Sequence, residues 1–256
     1  IVGILRLVRV LPSLTSTMLN CCTAPAPVTA EDFEVREVYE ARTTKSPAVP
    51  PEEALRLLQE GNARYTKANN TVVRKGLAEQ RKQLVEYGQK PMAVVFGCAD
   101  SRAPIDTIFD ALPGDLFILR NAGNTCTRAE GSMVGSIEYA ISHLDSKLIL
   151  VLGHTKCGAI AGATKTMLAQ KEKKDCSCLA KGSSALDILL DGLVPVAKQA
   201  ADENPGAAEA EIATKAVHVN VFHTICRLFS YSKALRDMVS SGEVQVHGGI
   251  YDLESG

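Results

Sequence analysis

Five side chains in this sequence are of types that could do chemistry together. The stretch "VVFGCADSRAPID" (94–106) offers Cys98, with Asp100 and Arg102 close behind, and "LILVLGHTKCGAI" (148–160) offers His154 and Cys157. Each is an apolar run that breaks into a glycine and at once presents a soft, metal-capable atom. Two thiolates and one imidazole select zinc over magnesium or calcium, which prefer oxygen. Three protein ligands leave one tetrahedral position open, as catalytic zinc requires and structural zinc usually does not. Taken singly, a cysteine after a strand is more often a small buried hydrophobe. The joint pattern is what points to a metal.

Asp100 stands two positions after Cys98, so in extended backbone both side chains point the same way. Arg102 can grip its carboxylate in a bidentate pair, and an Asp held so stays ionised and is a poor acid. It can accept a hydrogen bond from a metal-bound water and orient its lone pair, or swing onto the metal and close the open position. A plainer role for "DSR", a salt bridge capping the turn, is compatible with either.

These residues need two strand tips side by side, and the surrounding pattern supplies strands. Apolar runs at 91–97, 115–121 and 147–153 alternate with helical stretches at 130–144 and 158–174, and Val134, Ile137, Ile141 and Leu144 share one helical face. The run at 147–153 is continuously apolar, as a strand buried on both faces would be. Strand and helix in alternation predict βαβ units: an α/β fold with a mainly parallel central sheet flanked by helices. Further helices are expected at 184–201, interrupted near Pro195, and from 208 to 240. A last strand at 243–253 is expected to turn or bulge at Gly248-Gly249. In such a sheet, ligands gather outside the carboxyl ends of the strands.

Residues 51–90 read as an N-terminal helical arm, opened by Pro50-Pro51 and by Glu52 and Glu53 in the first turn. Its simplest use is packing on a second subunit; packing on its own sheet is the plainer alternative. Residues 1–50 read as leader and linker, followed by a single domain over 51–256. Arg6 and Arg9 are the only charges before Glu31, which suits an organellar transit peptide for chloroplast or mitochondrion; otherwise the protein is expected in the cytoplasm. Two arginines and Pro12 interrupt that stretch well before the roughly 18 apolar residues of a membrane span.

Formal net charge is −1, with 28 basic and 29 acidic side chains, so nothing electrostatic favours a nucleic-acid partner. The eight cysteines, in a chain of this length without a secretory signal, read as reduced thiols and metal ligands rather than a disulfide framework. Cys176 and Cys178 lie in a polar insertion (169–184) expected to be an exposed loop. Cys126 and Cys226 read as buried or half-buried thiols. His143, His218 and His223 on helices read as structural, and His247 in the last strand is undecided.

"CADSR" and "GHTKCGAI" together resemble the zinc signature of the β-class carbonic anhydrases. "LLQEGNARY", "PGDLFILRNAGN", "GSIEYAISHL" and "VQVHGGIYDLESG" are similar to other blocks of that family. The resemblance covers roughly 52–256. It implies one zinc per subunit on Cys98, His154 and Cys157, with Asp100 and Arg102 beside it as catalytic residues. It implies that Gln89 donates to bound bicarbonate, that Phe117 and Tyr139 line an apolar CO2 pocket of the plant-type branch, and that the Gly158 amide approaches the substrate. The implied reaction is reversible hydration of CO2 to bicarbonate and a proton, by attack of zinc-bound hydroxide on CO2, in a homodimer or an assembly of dimers. Two thiolates acidify the water less than three imidazoles would, so activity is expected to rise toward alkaline pH. Hydrolysis of COS or CS2 on the same zinc scaffold, a non-catalytic zinc protein and redox sensing through "CSC" are the competing readings.

Overall fold

The run that ends at Cys98 and the run that ends at His154 are neighbouring parallel strands. The computed structural model describes residues 8–9, 41–67, 77–126, 131–172 and 184–256. In it β2 (Ala93–Cys98) pairs with β4 (Leu148–His154), from Val94 opposite Ile149 to Gly97 opposite Leu152. β3 (Leu116–Asn121) lies parallel on the other side of β2, and β5 (Gln245–Tyr251) parallel beside β4. The two-residue β1 (Val8–Arg9) pairs antiparallel with β5, giving the order β1-β5-β4-β2-β3.

Every residue of β2 and β4 is buried, because helices cover both faces. Val94 and Phe96 point into one apolar cluster with Ile149, Val151 and Val246, closed by α4 (Gly131–His143), α7 (Glu209–Tyr231) and α8 (Lys233–Ser240). Ala93 and Val95 point into the opposite cluster with Leu148, Leu150 and Leu152, closed by α1 (Pro51–Thr66) and the short α3 (Ile105–Ile108). A third cluster joins α5 (Gly158–Glu172), α6 (Ala185–Glu203) and the first half of α7, and contains Cys98 and Cys157. No helix among the described residues is long and apolar enough to cross a membrane.

Several elements differ from the expectations above. α6 runs unbroken through Pro195. That residue is exposed and the carbonyl one turn before it belongs to half-buried Asp191, so the missing N–H falls where water can compensate. The helix expected from 208 to 240 is two helices. Ser232 adopts φ −112 and ψ 112, ends α7, and its hydroxyl accepts the Leu235 N–H at 2.9 Å to cap α8. Gly248 and Gly249 make no turn: β5 passes straight through them. A Cβ on Gly248 would stand 2.7 Å from Val221 Cγ1, so the glycine serves the close approach of α7.

Of the helical arm, α1 packs on its own chain, with Ala54 and Leu58 fully buried beside Ile105 and Tyr251. α2 (Leu77–Tyr87) is largely exposed. Residues 42–44, at the edge of the stretch read as linker, are tied down: Lys90 N–H donates to the Arg42 carbonyl at 3.2 Å and Thr44 N–H to that of Tyr87 at 3.1 Å. Cys226 is exposed rather than buried. Cys21, Cys22, Cys176, Cys178 and most of the leader lie outside the described residues.

Candidate metal centre

Cys98 and His154 are the last residues of β2 and β4, and Cys157 directly precedes the first residue of α5. Neighbouring parallel strands bring their tips together without any long loop having to order itself. The ligand atoms of the three residues lie within 4.8 Å of one another, all three are buried, and they form the one such group among the described residues. The two Sγ atoms are 4.0 Å apart. That is close to the roughly 3.8 Å expected of two sulfurs each about 2.3 Å from one tetrahedral zinc.

His154 Nδ1 lies 2.9 Å from the Thr155 carbonyl. A carbonyl only accepts, so Nδ1 carries a proton and the lone pair of the neutral ring is on Nε2. Nε2 is buried and has no hydrogen-bond partner, a condition that costs free energy unless something electrophilic meets the lone pair. The residues therefore fit a soft divalent ion.

The charges are arranged to suit one. Cys98 is pushed toward the thiolate, first by the hydrogen bond from the Cys157 thiol, then by His154 and by the backbone N–H groups of Asp100 and Gly123, at 3.4 and 3.3 Å from its sulfur. Cys157, the donor of that pair and buried, keeps its proton to higher pH. Burial opposes a charge on His154, yet the Cys98 thiolate outweighs it and raises the imidazole pKa.

Asp100 stands beside the cluster and not in it. Its Oδ1 accepts the Arg102 backbone N–H at 2.9 Å and Nε at 3.0 Å, and Oδ2 accepts Nη2 at 2.7 Å. This grip, bidentate as the spacing suggested, holds the carboxyl well below the usual carboxylate range. Arg102 Nη2 also donates to the Lys156 carbonyl at 3.1 Å, lacing the turn after β2 to the turn after β4. Asp100 Oδ2 is 3.8 Å from His154 Nε2, so an ionised acceptor faces the metal position.

Arg120, at the end of β3, did not stand out from the sequence. Its Nε donates to the Cys98 carbonyl at 2.7 Å and Nη2 to the Asp100 carbonyl at 2.6 Å, clamping the backbone on which a ligand and the dyad both sit. The available signal was a charge at the tip of an otherwise apolar strand, "LFILRN".

The remaining predicted residues divide. Gly158 opens α5 beside Cys157, is exposed, and a Cβ there would touch nothing. Phe117, Tyr139 and Gln89 are elsewhere. Phe117 is opposite Val94 in the β2–β3 ladder whereas Cys98 is opposite Asn121; four strand residues, about 13 Å, lie between those levels. Tyr139 contacts Phe117 with ring centroids 6.4 Å apart and is 50% exposed. Gln89, also exposed, precedes the first residue of β2. One chain alone thus gathers the metal ligands and the dyad at one end of the sheet and these three residues toward the other.

A family model described as Carbonic anhydrase matches residues 93–256. Carbonic anhydrase 2 of Mycobacterium tuberculosis is 30% identical over 228 residues, spanning 82% of this chain and 92% of its own. The carbonic anhydrase of Mycolicibacterium smegmatis is 32% identical over 206 residues, spanning 80% and 91%. Among solved structures, the β-carbonic anhydrase CafA of Aspergillus fumigatus superposes with a TM-score of 0.57 at 31% identity, over 76% of this chain and 88% of that one. One of two tetrameric β-carbonic anhydrases of Sordaria macrospora gives 0.57 at 28% identity, over 75% and 92%.

Proposed function

The chain belongs to the β-class carbonic anhydrases, enzymes that interconvert CO2 and water with bicarbonate and a proton, and on that premise we propose how its own residues carry the reaction. The ion held by Cys98, His154 and Cys157 is zinc. The observation that carries this is the buried donor set of two sulfurs and one imidazole nitrogen, with a sulfur separation suited to one tetrahedral ion. Zinc bound there supplies a Lewis acid that brings the pKa of a water toward neutrality.

Asp100, kept ionised by Arg102, accepts one hydrogen of the attacking water and turns its oxygen lone pair toward the CO2 carbon. Held so firmly it accepts a hydrogen bond without taking the proton, which passes to buffer. The backbone N–H of Gly158 and the amide of Gln89 orient the oxygens of CO2 and bicarbonate. Phe117 and Tyr139 give a linear, uncharged molecule an apolar wall, as in the plant-type branch.

Since Gln89, Phe117 and Tyr139 sit toward the other end of the sheet, with Gln89 and Tyr139 exposed, they serve a metal in a second copy of the chain. The working unit is accordingly a homodimer or an assembly of dimers. The domain proper is 51–256. An organellar destination is the reading of residues 1–30, on the strength of Arg6, Arg9 and the absence of acids before Glu31.

The test is stopped-flow CO2 hydration at several pH values, with zinc content measured, beside Cys157→Ser. Fast hydration that rises toward alkaline pH and falls to the uncatalysed background in the variant is expected. A zinc-loaded protein without hydration overturns the reading, and turnover of COS or CS2 in its place would assign it to that chemistry.

A further inference from the structure

We propose that Asn220 and Thr224 of α7 are positioning residues for the metal centre: they hold the Gly123–Asn124 turn so that the Gly123 N–H stays on Cys98 Sγ. The inference rests on the metal reading above and concerns residues outside the ligand set.

The turn follows β3 and has two successive left-handed residues, Gly123 at φ 79 and Asn124 at φ 40. Glycine and asparagine are the residues that tolerate this conformation best, so the sequence itself favours a tight turn here. At Gly123 a Cβ would stand 3.1 Å from Leu193 Cδ1 and 3.3 Å from Ala159 Cβ, so the turn is pressed against α5 and α6. Asn121 brackets it from within, accepting the Thr125 N–H at 2.9 Å and donating to the Thr125 carbonyl at 2.7 Å.

From outside, Asn220 Nδ2 donates to the Gly123 carbonyl at 2.7 Å and Thr224 Oγ1 to the Asn124 carbonyl at 3.0 Å. The two are one helical turn apart and so share a face, and both are almost wholly buried. On a helix face otherwise packed by Val217, Val221 and Ile225, buried polar groups are costly unless their bonds are needed. Both bonds land on a turn whose amide donates to a metal ligand, Gly123 N–H to Cys98 Sγ at 3.3 Å. Val221 between them also packs on Gly153 and Gly248, which fixes α7 against β4 and β5 at this level.

The physical consequence is electronic as well as steric. An N–H aimed at a thiolate draws charge from the sulfur, weakens its donation and leaves the ion more electrophilic. Partners outside the ligand shell commonly change metal affinity by about 10- to 100-fold.

The experiment uses the full chain loaded with Co(II) or zinc. Thr224→Val removes the donor at constant shape, Thr224→Ser restores it, and Asn220→Asp replaces a donor by an acceptor. Ser146→Ala is the structural control: it breaks a buried hydroxyl-to-carbonyl bond, Ser146 to Pro91, just before β4 at its amino end. The readouts are chelator competition, the sulfur-to-cobalt charge-transfer band and melting of the metal-free protein.

Thr224→Val and Asn220→Asp are expected to bind metal at least about tenfold more weakly and to shift the band. Thr224→Ser and Ser146→Ala are expected to leave both unchanged, even where melting falls. If Thr224→Val and Asn220→Asp lower only the melting temperature, as the control does, the inference is overturned. Should either fail to fold, wild-type protein loaded with cadmium-113 decides: through-hydrogen-bond coupling between the Gly123 amide proton and the metal is expected, and its absence overturns the inference. Wild type that binds neither metal would overturn the metal reading itself, an outcome distinct from bound metal with an unmoved band.

Discussion

At the carboxyl ends of β2 and β4, three ligand atoms lie within 4.8 Å of one another, and Arg102, Arg120 and the Gly123 amide pin the backbone around them. Toward the amino ends, Gln89 and Tyr139 are exposed and Phe117 is half-buried, with Tyr139 as its aromatic neighbour. The first region is assembled within one chain: its three ligand atoms converge on one point and the backbone around them is held by side chains of the same chain. The second has aromatic surface and an amide turned outward. On the function proposed above, a single active site is divided between two ends of the sheet, and association of two copies would reunite them.

Mixing experiments test that division most severely. Cys157→Ser lacks one end and Gln89→Ala the other, so each alone should be poorly active. Mixed oligomers contain one metal end and one amino end that are both intact, and hydration should return to about half the wild-type rate per mixed dimer. No recovery after verified subunit exchange would break the comparison and put the whole site in one chain.

A smaller effect is expected inside the assembled end. Arg102→Ala frees Asp100 and cuts the tie to Lys156, and hydration should fall about 10- to 100-fold, the usual cost of an outer partner. Because Arg102 lowers the Asp100 pKa, the stabilisation from the pair is present above the unfolded Asp value near 4 and lost only as pH falls through the depressed folded value. The acid limb of stability should therefore move to higher pH in Arg102→Ala, which acid titration of the folded protein would measure. An unmoved limb would mean that the guanidinium does not hold the carboxylate.

Proton release on metal binding is subtler. At pH 6 the metal-free centre holds a proton on Cys157 and, beside the one on Nδ1, a second on His154 at Nε2, both pKa values being raised, whereas Cys98 is pushed toward the thiolate. Zinc uptake should release about two protons at that pH, and about one once pH has passed the raised His154 value. Calorimetry in buffers of different ionisation enthalpy counts them; three protons at pH 6 would show that Cys98 is not pre-ionised.

The smallest effect belongs to neither end. Ser184 caps α6 in a reciprocal capping box with Asp187, and Ser184→Ala should cost about 1 kcal/mol of stability with hydration unchanged. A loss of hydration there would show that the periphery reaches the site.

Much of the metal end was legible in the sequence because its information is local. An apolar strand, a glycine and a soft ligand occur twice within a few residues, and Asp100 and Arg102 follow Cys98 at the spacing that lets them pair. The βαβ alternation was legible for the same reason, and Val134, Ile137 and Ile141 bury one face of α4 as their spacing predicts. Short-range order in the chain fixes period, ligand type and turn.

What the tertiary structure decided is whatever depends on which elements become neighbours. It put β2 beside β4, brought Arg120 onto the Cys98 and Asp100 carbonyls, and set Asn220 and Thr224 on a turn 97 and 100 positions away in the chain. It also carried α6 through Pro195 and broke the expected long helix at Ser232. It separated Gln89, Phe117 and Tyr139 from the metal they are expected to serve. Side-chain type and local spacing are written along the chain, whereas distances across a sheet and the exposure of a face arise only when the strands have chosen their order.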